Sequence, residues 1–452
     1  PLAGDGLISA AEASAVIVSG TSTDLADGAT VNIAVADGAA GSVTGTATVT
    51  GGVWTTTLNL SALADGALAL TADAVDAASN PAPQATATAT LDTVAPTGYT
   101  AAFDQDPVNL SNQTAIDITV SGAEVGATVA LRIESDGGAS LVTPGTVAAA
   151  TATVNVTGLD LSSLDDGTLT VSAILIDPAG NAGAVVTGTA TKDTDAPSLA
   201  IDSPLAGDDV INAAEAAAVT VSGTSTGLAD GAVVTVNATD TGVGLATGTA
   251  TVAGGVWTLS LDVTGLADGA LNLTANASDA GGNPAPQATA TATKDAVVPV
   301  VTIDGPIAVD DVVNGAEAAS TVISGTSTDL LDGAMVNVSV SDAAAGLVTG
   351  VATVTGGAWS VSLDLTSLAD GALGLTADAS DAAGNPAPQA IASVSKDVVA
   401  PAGYSATLDQ NPINGGNQAA VSFTFAGAEV GASFAYTISS DGGGTPVSGA
   451  GT

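Results

Sequence analysis

A short run of residues returns along this chain at a nearly constant interval, and the interval limits what the chain can fold into. Leu91-Asp92-Thr93-Val94-Ala95-Pro96, Lys192-Asp193-Thr194-Asp195-Ala196-Pro197, Lys294-Asp295-Ala296-Val297-Val298-Pro299 and Lys396-Asp397-Val398-Val399-Ala400-Pro401 place an aspartate at 92, 193, 295 and 397, spaced by 101, 102 and 102 residues. A fixed period marks an array of repeated units rather than one large domain. About a hundred residues can bury a core of their own, so each unit can fold without disulfides. Two unit types occur: one carries Trp54, Trp257 or Trp359, the other Tyr99 or Tyr404. The expected units are 1–92 (type one), 93–193 (type two), 194–295 and 296–397 (both type one) and 398–452 (type two). Pro1 aligns with Pro204 inside a repeat and Thr452 falls midway through one, so the first and last units are expected to be truncated.

The complete unit 196–295 shows how such a unit folds. Seven short segments, at 198–201, 217–222, 233–238, 248–252, 256–262, 270–278 and 288–293, are rich in Val, Thr, Leu and Ala, and several alternate apolar with polar residues. That alternation is the signature of a half-buried strand. Gly, Asp, Asn and Pro separate the segments at the spacing of a β-sandwich. The expectation is an all-β chain, a tandem array of seven-stranded immunoglobulin-like β-sandwiches joined by short linkers. One large ring per sandwich belongs in or beside the core, which is the place expected for each tryptophan.

Composition narrows the chemistry. The chain has no Cys and no His, and its only arginine is Arg132. Thiol catalysis, zinc–thiolate sites and imidazole acid–base chemistry are therefore excluded, and no nucleophile constellation is visible. Carboxylates recurring at every joint, without aromatic sugar platforms, do not read as a glycosidase pair. The chain is expected not to be an enzyme. Its 46 acidic against 4 basic residues give a net charge of −42, a field that repels nucleic acid and anionic lipid and attracts cations. No window reads as a transmembrane helix, so no direct membrane insertion is expected.

The acids stand at fixed places. Type-one units carry an early loop with Asp208, Asp209 and Glu215, repeated as Asp310, Asp311 and Glu317 and in reduced form as Asp5 and Glu12. Type-two units have Asp104-Gln105-Asp106-Pro107 and Asp409-Gln410-Asn411-Pro412 there. A late Asp-x-x-x-Asn loop supplies Asp177 and Asn181, Asp279 and Asn283, Asp381 and Asn385, and Asp76 and Asn80. In a sandwich of this topology the early loop lies where the last strand exits, and the late loop lies at the opposite end. In a head-to-tail array the early loop of one unit therefore faces the late loop of its successor. The junction aspartate, Asp92, Asp193 (with Asp195 beside it), Asp295 or Asp397, lies between them. Around Asp295 this would gather Asp208, Asp209 and Glu215 with Asp381 and Asn385. Converging carboxylates repel unless a cation neutralises them, and Ca²⁺, with six to eight oxygen ligands at flexible geometry, suits such a set. The competing reading is that each Asp and Asn shapes a turn. The Asp-Gly pairs at 230–231 and 268–269 read as turns first.

At Gly207-Asp208-Asp209-Val210-Ile211-Asn212-Ala213-Ala214-Glu215, Asp381-Ala382-Ala383-Gly384-Asn385 and Lys396-Asp397-Val398-Val399-Ala400-Pro401 the chain resembles the bacterial Ig-like repeats of giant, type I-secreted, biofilm-associated surface adhesins. The resemblance covers essentially the whole chain. It implies a non-catalytic stalk at the bacterial cell surface, with Ca²⁺ stiffening the joints and a distal adhesive module outside this window binding the target. It assigns the junction role to Asp92, Asp193, Asp295 and Asp397 and the late-loop role to Asp76, Asp177, Asp279 and Asp381. Type-two units depart from the pattern, lacking the full Asp-Asp…Glu loop. The expected partners are the neighbouring repeats of the same chain. The alternative is a surface filament or sheath built by lateral packing of the repeats.

Overall fold

The computed structural model describes residues 4–142 and 147–452. Unit 194–295 contains eight strands: β1 (Ser198–Ile201), β2 (Val210–Ile211), β3 (Val219–Thr226), β4 (Val233–Thr239), β5 (Leu245–Thr251), β6 (Val256–Leu261), β7 (Gly269–Asn276) and β8 (Ala288–Lys294). Alternation along each strand sets its faces. In β3, Val219 and Val221 are buried while Thr220 and Thr224 are exposed, and in β7 Leu271, Leu273 and Ala275 point inward. Side chains on a strand alternate between its two faces, so these patterns give each sheet one apolar face.

Two sheets result. One has three strands in the order β1-β3-β6, and the other has five in the order β2-β8-β7-β4-β5. Their apolar faces enclose Val221, Val234, Val236, Leu271 and Leu273, with Trp257 only 2% exposed. Trp54 and Trp359 are likewise buried. Trp257 sits in register opposite Gly223, where a Cβ would lie 2.3 Å from the indole Cζ2. The glycine there makes room for the ring.

The eighth strand, β2, was not expected from the sequence. It is two residues long, too short to carry a periodicity, and pairs in parallel with the end of β8, Val210 with Thr293 and Ile211 with Lys294. The chain thus crosses from the three-stranded to the five-stranded sheet within the early loop. Unit 296–397 repeats both sheets, with orders of three and five strands. Unit 93–193 does so with one short additional strand, Val147–Ala148, and encloses a separate core around Ile116, Ile118, Ile133 and Leu175. In unit 1–92 the five-stranded sheet is complete and Val16–Thr21 pairs with Val53–Leu58. Residues 398–452 form two hairpin-like pairs, Ser405–Leu408 with Phe423–Ala426 and Phe434–Ile438 with Val447–Gly451. Across these pairs Phe423, Phe425, Phe434 and Tyr436 are in ring contact. No helix among the described residues is long and apolar enough to cross a membrane.

Candidate functional site at the joints

The parallel pairing of β2 with β8 brings the early loop to the junction. Thr293 donates to the Asp209 carbonyl and Asp295 donates to the Ile211 carbonyl, so the residues after β2, Asn212 to Glu215, begin beside the junction aspartate. Asn212 starts a tight turn. Its Oδ1 accepts from the backbone N–H of Ala214 and Glu215, and its own N–H donates to Glu215 Oε2. This is the reciprocal arrangement that Asn and Glu form at the start of a helical turn. Glu317 holds Asn314 in the same way, and Glu12 holds Ser9.

The late loop of the next unit closes on this turn. Asn385 donates from Nδ2 to the Asp295 carbonyl at 2.8 Å and accepts at Oδ1 from the Ala213 N–H at 2.7 Å. Asp381 orients it, accepting from the Asn385 backbone and side-chain N–H groups. The other two joints repeat these bonds. Asn283 donates to the Asp193 carbonyl and accepts from Leu110, while Asn181 donates to the Asp92 carbonyl and accepts from Ala10. Asn181, Asn283 and Asn385 are all buried, whereas Asn80, which meets no other unit among the described residues, is exposed. The neighbouring unit supplies the burial. Asp92, Asp193 and Asp295 are half-buried, and Asp397, which meets no late loop among the described residues, is exposed.

The remaining candidate residues are engaged within their own units. Asp209 Oδ1 accepts from the Leu205 N–H and Asp311 Oδ1 from the Ile307 N–H, each closing its own early loop. Asp5, Asp208 and Asp310 each accept from the N–H two residues on. Asp104 accepts from the Thr119 hydroxyl and Asp106 from the Thr191 N–H. Asp195 is exposed, and its N–H donates to Asp193. The junction aspartates cap the linker in turn, Asp92, Asp295 and Asp397 accepting from Val94, Val297 and Val399. The double aspartates thus shape the crossing before β2, while the glutamate and late-loop residues reach the joint. Among the described residues no three acidic side chains converge closely enough to hold an ion.

The side chains at the joints nonetheless offer carboxylate and amide oxygens, the donor type that hard cations take. At the joint after 1–92 the polar side chains include Ser9, Glu12, Asp92, Asp177 and Asn181. Asp177 is 4% exposed, its carboxylate accepts from Asn181, and no basic side chain pairs with it among the described residues. A buried carboxylate without a counter-charge is costly, and the two Asn181 N–H groups offset only part of that cost. The nearby lysines do not fill the role. Lys192, Lys294 and Lys396 are buried and pair with Asp166, Asp268 and Asp370 inside their own units. Sequence reading assigned Asp268 to a turn and missed this pair. The signal was present: each lysine follows its aspartate by 26 residues, and Leu91 stands in the equivalent place after Asp65.

Sequence reading also missed the counterpart of Glu215 in type-two units. Asn112 accepts from the Asn109 N–H, and Asn417 from the Asn414 N–H, as Glu215 does from Asn212. The acidic turn is replaced by a neutral one.

No family model matches the chain, and no curated protein matches it. Solved structures do. A tetra-tandem repeat from the extending region of a large adhesion protein is 29% identical, covering 86% of this chain and 96% of its own, with a TM-score of 0.35. A Ca²⁺-stabilized adhesin with which an Antarctic bacterium reaches out and binds ice is 31% identical, covering 88% of this chain and 97% of its own, at a TM-score of 0.38. A bacterial ice-binding adhesin is 28% identical over 68% of this chain and 99% of its own, at a TM-score of 0.31. The whole-chain superpositions are weak, and the fold rests on the sheets described above. The proteins matched are large adhesins, the class the repeat motifs resemble.

Proposed function

We infer that this chain belongs with the tandem-repeat extension regions of large bacterial surface adhesins and serves as a non-catalytic stalk segment. The observation that supports this most directly is the joint itself. The same bonds from a late-loop asparagine to the preceding unit recur at Asn181, Asn283 and Asn385, so successive units are tied end to end by one repeated contact. Such a contact propagates an extended array, whereas a laterally packed sheath needs complementary sides. The work of the segment is to project a distal adhesive module from the cell surface, in support of adhesion and biofilm formation.

Calcium is the proposed stiffener of the joints. Glu12, Asp92 and Asp177, and likewise Glu215, Asp295 and Asp381, would hold it. When bound, the ion would neutralise the mutual repulsion of these carboxylates. The chain's own residues do the rest: the asparagine bridges the units, and Glu12 or Glu215 shapes the turn that receives it. A ligand that binds only the closed joint stabilises it by RT ln(1 + [L]/Kd), about 2.7 kcal/mol at a hundredfold excess over Kd. The test is small-angle X-ray scattering of the whole chain in Ca²⁺ and then in chelator. The reading expects the maximum dimension to fall and the pair-distance profile to broaden on chelation. Coincident curves would reduce the acids to turn residues and return the laterally packed filament as the leading reading.

A further inference from the structure

The three joints share the asparagine bridge but differ in what surrounds it. At the joint around Asp193 two changes coincide. The turn that receives the late loop carries Asn112 where the other joints have Glu12 and Glu215, so one carboxylate is missing. The late loop carries Gly281 where the others have Ala179 and Ala383. Gly281 is buried and has no positive φ that would call for glycine. Space explains it instead. A Cβ on Gly281 would lie 2.9 Å from Asp193 Oδ2 and 3.0 Å from Asp193 Cβ, so the missing side chain lets the junction aspartate pack directly on the loop.

That close approach is used. Asn109 donates from Nδ2 to the Gly281 carbonyl at 2.9 Å, a bond across the joint in addition to the two made by Asn283. Neither other joint makes it. At the joint around Asp92 the equivalent residue is Ser9, whose hydroxyl donates to Glu12 within its own turn. At the joint around Asp295 the residue is Asn212, whose Nδ2 lies 3.8 Å from where a Cβ of Gly384 would be, and no bond across the joint is made from it. The turn facing the late loop is neutral at the Asp193 joint, the additional Asp195 there is exposed on the linker, and one more neutral hydrogen bond closes the contact.

We propose that the joint around Asp193 is locked by amide bridges and stays ordered without metal, whereas the joints around Asp92 and Asp295, with Glu12 and Glu215, are the ones whose order depends on a divalent cation. The two sides of a joint together then encode its behaviour: a type-two unit met by a late loop with glycine at the Gly281 position makes a permanent lock, and a type-one unit met by a loop with alanine there makes a cation-dependent hinge. The cation-dependent half of this inference rests on the stalk reading above; the lock does not. An array of mixed unit types would lose stiffness on chelation only at some joints, leaving rigid blocks linked by hinges.

The absence of cysteine makes the test direct, because spin labels attach only where cysteines are introduced. The exposed positions Thr157 and Thr249 flank the Asp193 joint, and Thr249 and Thr349 flank the Asp295 joint. Double electron–electron resonance on the full chain carrying T157C/T249C or T249C/T349C is recorded in Ca²⁺ and in chelator. The expected result is a narrow distance distribution at the Asp193 joint under both conditions and loss of the narrow distribution at the Asp295 joint in chelator. Adding Asn109→Ala or Gly281→Ala should broaden the Asp193 distribution even in Ca²⁺, since the first removes the extra bond and the second the space in which Asp193 packs on the loop. Equal broadening of both joints in chelator overturns the lock, as does an Asp193 joint unmoved by both substitutions. If the Asp295 joint ignores the chelator, the calcium reading of the stalk fails, while the two substitutions still decide the lock.

Discussion

Lys294 is the most informative single residue to change within a unit. Its side chain is 6% exposed, and its Nζ lies 2.5 Å from Asp268 Oδ1, on a carboxylate that is 33% exposed. It ties the loop before β7 to the last residue of β8, immediately ahead of the joint. Lys294→Ala would leave Asp268 without its partner and empty the space of the four-carbon stem. Breaking a buried pair from one side costs about 3–5 kcal/mol. Asp268 keeps a third of its surface in water, so solvent screening reduces the expectation to about 2–3 kcal/mol. Lys294→Leu should behave differently, because an apolar side chain of similar bulk can replace a buried charge at little net cost. The chain already contains that variant: Leu91 occupies the position at 1% exposure, and Asp65 there accepts instead from the N–H and hydroxyl of Thr93. Each type-one unit holds one tryptophan, so Trp54→Phe with Trp359→Phe leaves Trp257 to report this unit alone. Urea unfolding followed by its fluorescence, with m of about 1–3 kcal/mol/M, should place the Ala midpoint about 0.7–3 M lower. The Leu variant should stay close to the parent. Equal losses for Ala and Leu, or no loss for Ala, would refute the argument that the pair matters because one charge would be stranded.

Two further outcomes follow from geometry. Gly325→Ala places a Cβ 1.8 Å from the Thr302 carbonyl oxygen and 2.5 Å from Trp359 Cζ2, an overpacking that should cost at least about 1–3 kcal/mol; an unchanged Trp359 unfolding midpoint would contradict it. The Asp342 carboxyl is held below the ordinary carboxylate value, first by the Ala369 N–H and then by the Gly346 N–H, and Asp240 is held likewise by Ala267, Gly242 and Gly244. A depressed value in the folded state contributes stability that is present above the unfolded value, about 3.9, and is lost as pH falls through the lower folded one. The urea midpoint of Asp342→Asn should therefore lie below the parent's at neutral pH, with the gap closing only in acid below about pH 4; a gap independent of pH would sink the assignment.

The repeat period, the strand alternation and the place of each acidic loop were legible in the sequence, because they are local or periodic. Val219 to Thr226 announces a strand by its own alternation, and Asp381 and Asn385 announce a turn by their spacing. Even the meeting of early and late loops followed from counting strands in a sandwich. What the sequence could not show is which atoms meet once the loops are placed. The two-residue strand Val210–Ile211 has no periodicity of its own and exists only because β8 offers it an edge. That pairing divides the early loop, leaving Asp209 to close the crossing and Glu215 to shape the turn at the joint. The buried lysine clamp, the replacement of Glu215 by Asn112 and the space left by Gly281 are likewise contacts between segments far apart in the chain. Local chemistry fixes which elements form. Only packing in three dimensions decides whether an aspartate caps a turn, pairs with a lysine or faces the next unit, since each of these satisfies the same carboxylate.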